Sequence, residues 1–141
     1  MNDLIKTAEL FECKTPYLKE FFDENEYPWQ MLPKIKDYIS RLQNKSLKGY
    51  SFISYGVLVG EGVTIHQTAT ILPPAVIGAG TEIRPGAFLR GNVIIGEGCV
   101  IGNSSELKNC ILLDRVQVPH YNYVGDSILG NRSHMGAGAI C

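Results

Sequence analysis

A six-residue period runs through this sequence from Ile53 onward. Counting in sixes gives Ile53, Val59, Ile65, Ile71, Ile77, Ile83, Leu89, Ile95, Ile101, Leu107 and Leu113. Eleven aliphatic side chains in succession lie far outside chance for a chain that is 45% hydrophobic. Four residues after each of the first ten stands a small or β-branched partner: Val57, Val63, Ala69, Ala75, Thr81, Ala87, Val93, Cys99, Ser105 and Ile111. A strand repeats every two residues and a helix every 3.6, so neither accounts for a strict six as one long element. Short strands joined by tight corners do. Three such sides close a triangular coil of eighteen residues, and successive coils stack as parallel strands about 4.8 Å apart. The aliphatic residues then fill a prism, and Gly60, Gly78, Gly96 and Gly102 stand just after them, where a corner would crowd a Cβ. Residues 51–141 are therefore expected to form an all-β solenoid of about five triangular coils.

Residues 1–50 carry a different pattern. The chain has 15 glycines, all of them after residue 48, which marks the boundary. Thr15-Pro16 reads as an N-cap followed by a first-turn proline, opening a short segment from Tyr17 to Asp23. A clearer helix follows Pro33: Ile35, Tyr38, Ile39 and Leu42 are spaced by three and four, so they share one face of a helix running to about Asn44. Such a helix is marginal alone, so its apolar face is expected to lie on the rest of the chain, with Phe21, Phe22 and Trp29 joining the contact.

Composition excludes several classes. A chain of 141 residues has room for about one domain. Thirteen Lys+Arg against 14 Asp+Glu leave a formal net charge of -1, without the basic excess that nucleic-acid phosphates demand. No apolar run approaches the roughly 18 to 20 residues that span a bilayer, and Met1-Asn2-Asp3-Leu4 lacks a basic leader. A soluble, cytoplasmic protein is expected. Cys13, Cys99, Cys110 and Cys141 show no paired spacing, so reduced thiols are expected rather than disulfides or zinc.

Two features point to a site. The aliphatic ladder resumes after Leu113 as Tyr123, Leu129, Met135 and Cys141, ten residues on rather than six. About four residues are then expected to leave the coil between Val116 and Asn122 as a projecting loop carrying His120. In addition, Arg90 and Lys108 are eighteen apart and become vertical neighbours about 4.8 Å apart. Cations that close repel unless an anion lies between them, so either a phosphate or carboxylate is clamped there or Glu106, Glu97 or Asp114 neutralises them.

The period resembles that of the hexapeptide-repeat proteins, whose fold is the left-handed parallel β-helix and which usually assemble as homotrimers. The segments Asn103-Ser104-Ser105-Glu106-Leu107-Lys108, His120-Tyr121-Asn122-Tyr123-Val124-Gly125-Asp126 and Met135-Gly136-Ala137-Gly138-Ala139-Ile140 narrow the likeness. They resemble the acetyltransferase domain of the bifunctional UDP-N-acetylglucosamine pyrophosphorylase/acetyltransferase, and stand-alone proteins named as sugar-nucleotide pyrophosphorylases. The resemblance implies transfer of an acyl group from acetyl-coenzyme A, or another acyl-coenzyme A, to an amino-sugar phosphate. It implies His120 as the general base; imidazole suits that task because it titrates near neutrality. It implies Lys108 and Tyr123 as ligands of the sugar phosphate. For the family's arginine there are two candidates: Arg84, in the local motif Arg84-Pro85-Gly86-Ala87, and Arg90, which has the spacing to Lys108; Arg90 is preferred.

Departures from the family matter as well. His134 stands where the family has an asparagine contacting the sugar, so the acceptor is expected to differ. The Gly-rich nucleotide loop of a pyrophosphorylase is missing, so the chain is not expected to be a nucleotidyltransferase by itself. The family runs on past the coil that opens with Met135, through coils that hold the acyl donor, and an incomplete donor site is expected. The open last coil is expected to be covered, by the N-terminal helices of this or a neighbouring chain or by end-to-end contact between trimers. A metal site of the trimer-interface carbonic-anhydrase type is not expected, because the spacing of His66, His120 and His134 does not match. Two functions of different class therefore stand: a sugar-phosphate N-acyltransferase, or a non-catalytic trimeric module that binds a phosphorylated sugar or nucleotide sugar or serves in assembly.

Overall fold

The computed structural model describes residues 3–141; Met1 and Asn2, part of the stretch read for a leader, lie outside the described residues. Three short helices come first: α1 (Thr7–Leu10), α2 (Pro16–Glu24) and α3 (Ile35–Gln43), with two 3-10 turns at Pro28–Gln30 and Leu32–Lys34. Every residue that follows β1 (Tyr50–Ser54) belongs to a parallel solenoid or its corners. Four coils are complete. The first holds β2 (Val57–Gly60), β3 (Thr64–Ile65) and β4 (Thr70–Ile71); the second, β5 (Ala75–Ile77), β6 (Glu82–Ile83) and β7 (Phe88–Leu89). The third holds β8 (Val93–Ile95), β9 (Val100–Asn103) and β10 (Glu106–Lys108); the fourth, β11 (Cys110–Leu112), β12 (Gln117–His120) and β13 (Tyr123–Gly125). Where about five coils are expected, the fifth contributes one strand, β14 (Ile128–Leu129), and two single bridges, Gln117↔His134 and Tyr123↔Ile140.

Three flat faces result. Face A is β1-β2-β5-β8-β11-β14, face B is β3-β6-β9-β12 and face C is β4-β7-β10-β13. All pairs are parallel except β1 with β2, which run antiparallel and close the first coil's edge. Inside the prism, Ile77, Ile83, Leu89, Ile95, Ile101 and Leu107 are fully buried, as the ladder predicts.

The register differs from the expected one at both ends of the ladder. Ile53 sits on antiparallel β1 and is 53% exposed, because the solenoid proper begins with Val57 and Val59. Beyond Leu107 the inward residues are Cys110, Leu112, Val116, Val118 and Val124, not Ile111, Leu113 and Tyr123. The cause is a shorter corner. Coil two turns from face C to face A through Gly91 and Asn92, both at positive φ; coil three uses Asn109 alone and coil four Asp126 alone. Strand partners accordingly change from eighteen residues apart (Ile77↔Ile95) to seventeen (Ile95↔Leu112, Leu107↔Val124).

No loop leaves the coil between Val116 and Asn122. That stretch is strand β12, paired to β9 through Gln117↔Val100, Val118↔Ile101 and His120↔Asn103. One residue removed at each of two corners imitates, in a count by sixes, an insertion of four.

Face A is buried on both sides. Its outward residues Leu58, Val76, Ile94 and Ile111 are covered by α2 and α3, through Leu18, Phe21, Ile35, Ile39 and Leu42. Ile35, Tyr38, Ile39 and Leu42 all face inward as their spacing predicts, Phe21 stacks on Tyr38 at 4.1 Å, and Trp29 stays half exposed. Polar pegs fix the layer: Tyr17 Oη donates to the Ile95 carbonyl at 3.0 Å, and Gln43 Nε2 to that of Gly56 at 2.8 Å. Thr15 is the N-cap residue of α2 and Pro16 its first residue, as the sequence reads, but the Thr15 side chain makes no capping bond; its hydroxyl donates to Asp114 at 2.7 Å. The helices thus lie along a side of the prism. They do not close its last coil, where Ile140 is 77% exposed.

Candidate active site

On a strand of two or three residues only the positions flanking the inward side chain point out. Face C therefore presents Phe88 and Arg90 on one coil, Glu106 and Lys108 on the next, and Tyr123 and Gly125 on the third, in the register Glu106↔Phe88 and Glu106↔Tyr123. Arg90 and Lys108 are vertical neighbours, as their spacing requires. Each has a carboxylate. Arg90 Nη1 reaches Glu106 Oε2 at 2.9 Å, and Lys108 Nζ reaches Asp126 Oδ2 at 3.4 Å. Glu106 is one of the three acids considered; Glu97 and Asp114 lie at the corner between faces A and B, where Asp114 accepts the Thr15 hydroxyl and the Glu97 N–H.

The Glu106 hydrogen bond and charge, with a smaller contribution from Tyr123, hold the Arg90 guanidinium more firmly protonated than usual. Asp126 is pulled below the ordinary carboxylate range, first by the Asn109 amide at 2.8 Å and then by Lys108. Sequence reasoning passed over Asp126, although its place one coil below Asn109 at the shortened corner marks it out. All these groups are substantially exposed, so each pair is weak and exchangeable with an incoming anion. The Tyr123 ring lies over Gly125: a Cβ on that glycine would meet Tyr123 Oη at 2.5 Å. Glycine at 125 thus makes room for the ring across face C.

His120 stands at the corner between faces B and C, exposed, three residues before Tyr123. Its backbone is fixed by Asn122, a residue not singled out from sequence. Asn122 Oδ1 accepts the His120 N–H at 2.9 Å, while Nδ2 donates to the carbonyls of Gly136 at 2.8 Å and Ala139 at 3.2 Å. Asn122 occupies a small inward position, directly below Ser105, whose Oγ accepts its N–H at 3.2 Å. A buried amide there replaces packing with a clamp on the corner that carries His120.

The other two candidates lie elsewhere. Arg84 is on face B, held to its own strand by Glu82 at 3.1 Å. His134 is also on face B, bridged to Gln117, one coil beyond the strand of His120. The fold thus gathers Arg90, Lys108 and Tyr123 on one face with His120 at its rim, and leaves Arg84 off that face. Among the described residues, no group of three or more His, Cys, Asp or Glu side chains is placed to hold a metal, and no helix is long and apolar enough to cross a membrane.

Comparison with known proteins gives a consistent family. Residues 71–141 match the model of the GMPPB C-terminal domain. The bifunctional protein GlmU of Nostoc sp. is 38% identical over 159 aligned residues, covering 99% of this chain and 35% of that protein. GlmU of Synechococcus elongatus is 43% identical over 82 residues, covering 58% of this chain and 18% of its own length. The chain therefore spans about a third or less of these relatives. Among solved structures, a mutant perosamine N-acetyltransferase from Caulobacter crescentus, in complex with CoA and GDP-perosamine, matches with a TM-score of 0.40 at 20% identity, over 62% of this chain and 45% of that one.

Proposed function

Because the chain belongs to the family of the GMPPB C-terminal domain, we propose that it is a sugar-phosphate N-acyltransferase unit that binds the amino-sugar phosphate. The observation that supports this is the grouping of Arg90, Lys108 and Tyr123 on face C with His120 at the rim. In this reading Arg90 and Lys108 exchange Glu106 and Asp126 for the substrate's phosphate, and the Tyr123 hydroxyl donates a further hydrogen bond. His120 accepts a proton from the sugar amine as its nitrogen attacks the thioester carbonyl of acyl-coenzyme A. The C–N bond forms, the C–S bond breaks, and coenzyme A leaves as the thiol. His134, which the resemblance sets against the acceptor, lies on face B one coil beyond the strand of His120, and in this reading it tunes which amino sugar is preferred. Arg84, paired with Glu82 on another face, has at most an outlying part.

We assign the solenoid the left hand of the hexapeptide-repeat fold, a homotrimeric assembly, and a cytoplasmic setting. Residues 1–50 act as a helical cover and 51–141 as the repeat unit.

The test is direct. Acetyl-coenzyme A and a set of amino-sugar phosphates, glucosamine 1-phosphate among them, are incubated with the protein and thiol release is followed. The wild type turns over, and His120→Ala is slower by about 10² or more. Equal rates in the two would overturn the role of His120. The second reading, a binding module without catalysis, is favoured by the intramolecular pairing of both cations. It predicts no turnover in either protein, but binding of glucosamine 1-phosphate, seen as a saturable shift of the Arg90 Nε–Hε NMR signal, that Lys108→Ala weakens by about tenfold or more.

A further inference from the structure

A second pair of stacked cations lies at the corner between faces A and B. In the first three coils this corner is glycine at positive φ: Gly62 (71°), Gly80 (70°) and Gly98 (65°). In the next two the same position is arginine, Arg115 at φ 58° and Arg132 at φ 62°. A side chain in this left-handed region is strained, and glycine is not. The sequence therefore places two arginines, one directly beyond the other, where the rest of the column avoids any side chain. Their backbones are tied in consecutive coils: the Arg115 N–H donates to Glu97 O at 2.8 Å and the Arg132 N–H to Asp114 O at 2.9 Å.

The pairing of the other arginines sharpens the contrast. Arg41, Arg84 and Arg90 each hold a carboxylate, whereas among the described residues Arg115 and Arg132 hold none. Both line a cavity of about 300 Å³ with Glu12, Lys14, Asp114 and Asn131. Its two acids are already engaged. Asp114 accepts the Thr15 hydroxyl at 2.7 Å and the Glu97 N–H at 2.8 Å, and Glu12 is paired with Lys14 at 3.1 Å. Asn131 is spent on the Asp114 N–H and the Glu12 carbonyl. The lining thus carries three cations, Lys14, Arg115 and Arg132, against two carboxylates, and among the described residues neither guanidinium is held by an acid.

We propose that this cavity is an anion site, separate from the His120 site, in which Arg115 and Arg132 together bind a phosphate group, free or as a monoester. Two guanidinium forks present several N–H donors to a tetrahedral oxyanion, and a bound phosphate removes the repulsion between them. The cavity lies at the small end of ligand pockets, which suits a phosphate group rather than a large molecule. It also joins the segment around Lys14 to the fourth and fifth coils, so occupancy ties the N-terminal layer to the prism.

Inorganic phosphate and, separately, phenyl phosphate are titrated into the full chain. The readouts are the arginine Nε–Hε NMR signals and the melting temperature. Expected are saturable shifts of the Arg115 and Arg132 signals and a higher melting temperature. The tighter of the two probes identifies a free or an esterified phosphate as the ligand. R115G/R132G restores the residue found in the coils above; it keeps a cooperative melt and loses affinity by about tenfold or more. R115Q/R132Q, which keeps side chains at the corner, shows the same loss, while R90A/K108A retains the effect. Unmoved arginine signals with both probes, or unchanged affinity in R115G/R132G, would overturn the site.

Discussion

Burial sorts the four thiols. Burial pushes Cys99 up to about 12 and Cys110 higher still, and it raises half-buried Cys13 to about 11; Cys141 is exposed. The thiolate is the reactive form, so at pH 8 a disulfide reagent is expected to modify Cys141 at once and Cys13 slowly, and to reach Cys99 and Cys110 only on unfolding. Counting released chromophore before and after denaturant checks this; fast labelling of more than one thiol would contradict it. Asp126 supplies a pH signature. Its folded pKa is depressed by Asn109 and Lys108, so its contribution is present above the ordinary value of 3.8 and is lost as pH falls through the lower, folded value. Asp126→Asn, which keeps the shape but cannot titrate, should therefore lose less melting temperature than the wild type below about pH 4.

Within the elements, the corners rather than the strands set the tolerances. A Cβ on Gly102 would lie 1.7 Å from the Pro119 carbonyl oxygen one coil below, while one on Gly136 meets nothing within 4 Å. Gly102 is at negative φ, so the demand comes from the approach of the next coil's backbone. Gly102→Ala should cost about 3 kcal/mol or prevent folding, and Gly136→Ala should be close to neutral. Calorimetric melts of the two variants decide it. Face A makes a second contrast. Because α2 and α3 cover it, outward Ile94 is as buried as inward Ile95, and alanine at either should cost about 2–5 kcal/mol. On face B, outward Val100→Ala should cost at most about 1 kcal/mol. Denaturant unfolding of the three variants would refute the two-sided burial if Ile94 behaved like Val100.

At the scale of the whole molecule, the helices and the prism share one apolar layer. Leu58, Val76, Ile94 and Ile111 would form a continuous exposed strip if residues 1–48 were removed. A fragment beginning at Gly49 is expected to bind a hydrophobic dye and self-associate, whereas the full chain should not; a dye-silent, monodisperse fragment would contradict this. The proposed trimer is tested in the same measurement, since light scattering on the full chain should report three times the chain mass.

The local period was enough to read the architecture. A hydrophobic residue every sixth position constrains every short strand at once, so the prism and the adjacency of Arg90 and Lys108 follow from counting. The α3 face was legible for a similar reason, since Ile35, Tyr38, Ile39 and Leu42 obey a period of their own. Where the chain shortens a corner the count loses its reference. Leu112 and Leu113 are alike as letters, and only pairing with Ile94 and Ile95 tells which of them turns into the prism. The same slip turned β12 into an imagined loop around His120. The partners of the polar groups were likewise beyond the letters: Asp126 for Lys108 comes from a corner one coil away and Asp114 for Thr15 from most of the chain away. A repeat determines which side chains point outward; which of them meet depends on corner lengths and on the layer laid over face A, and those are settled only when the coils stack.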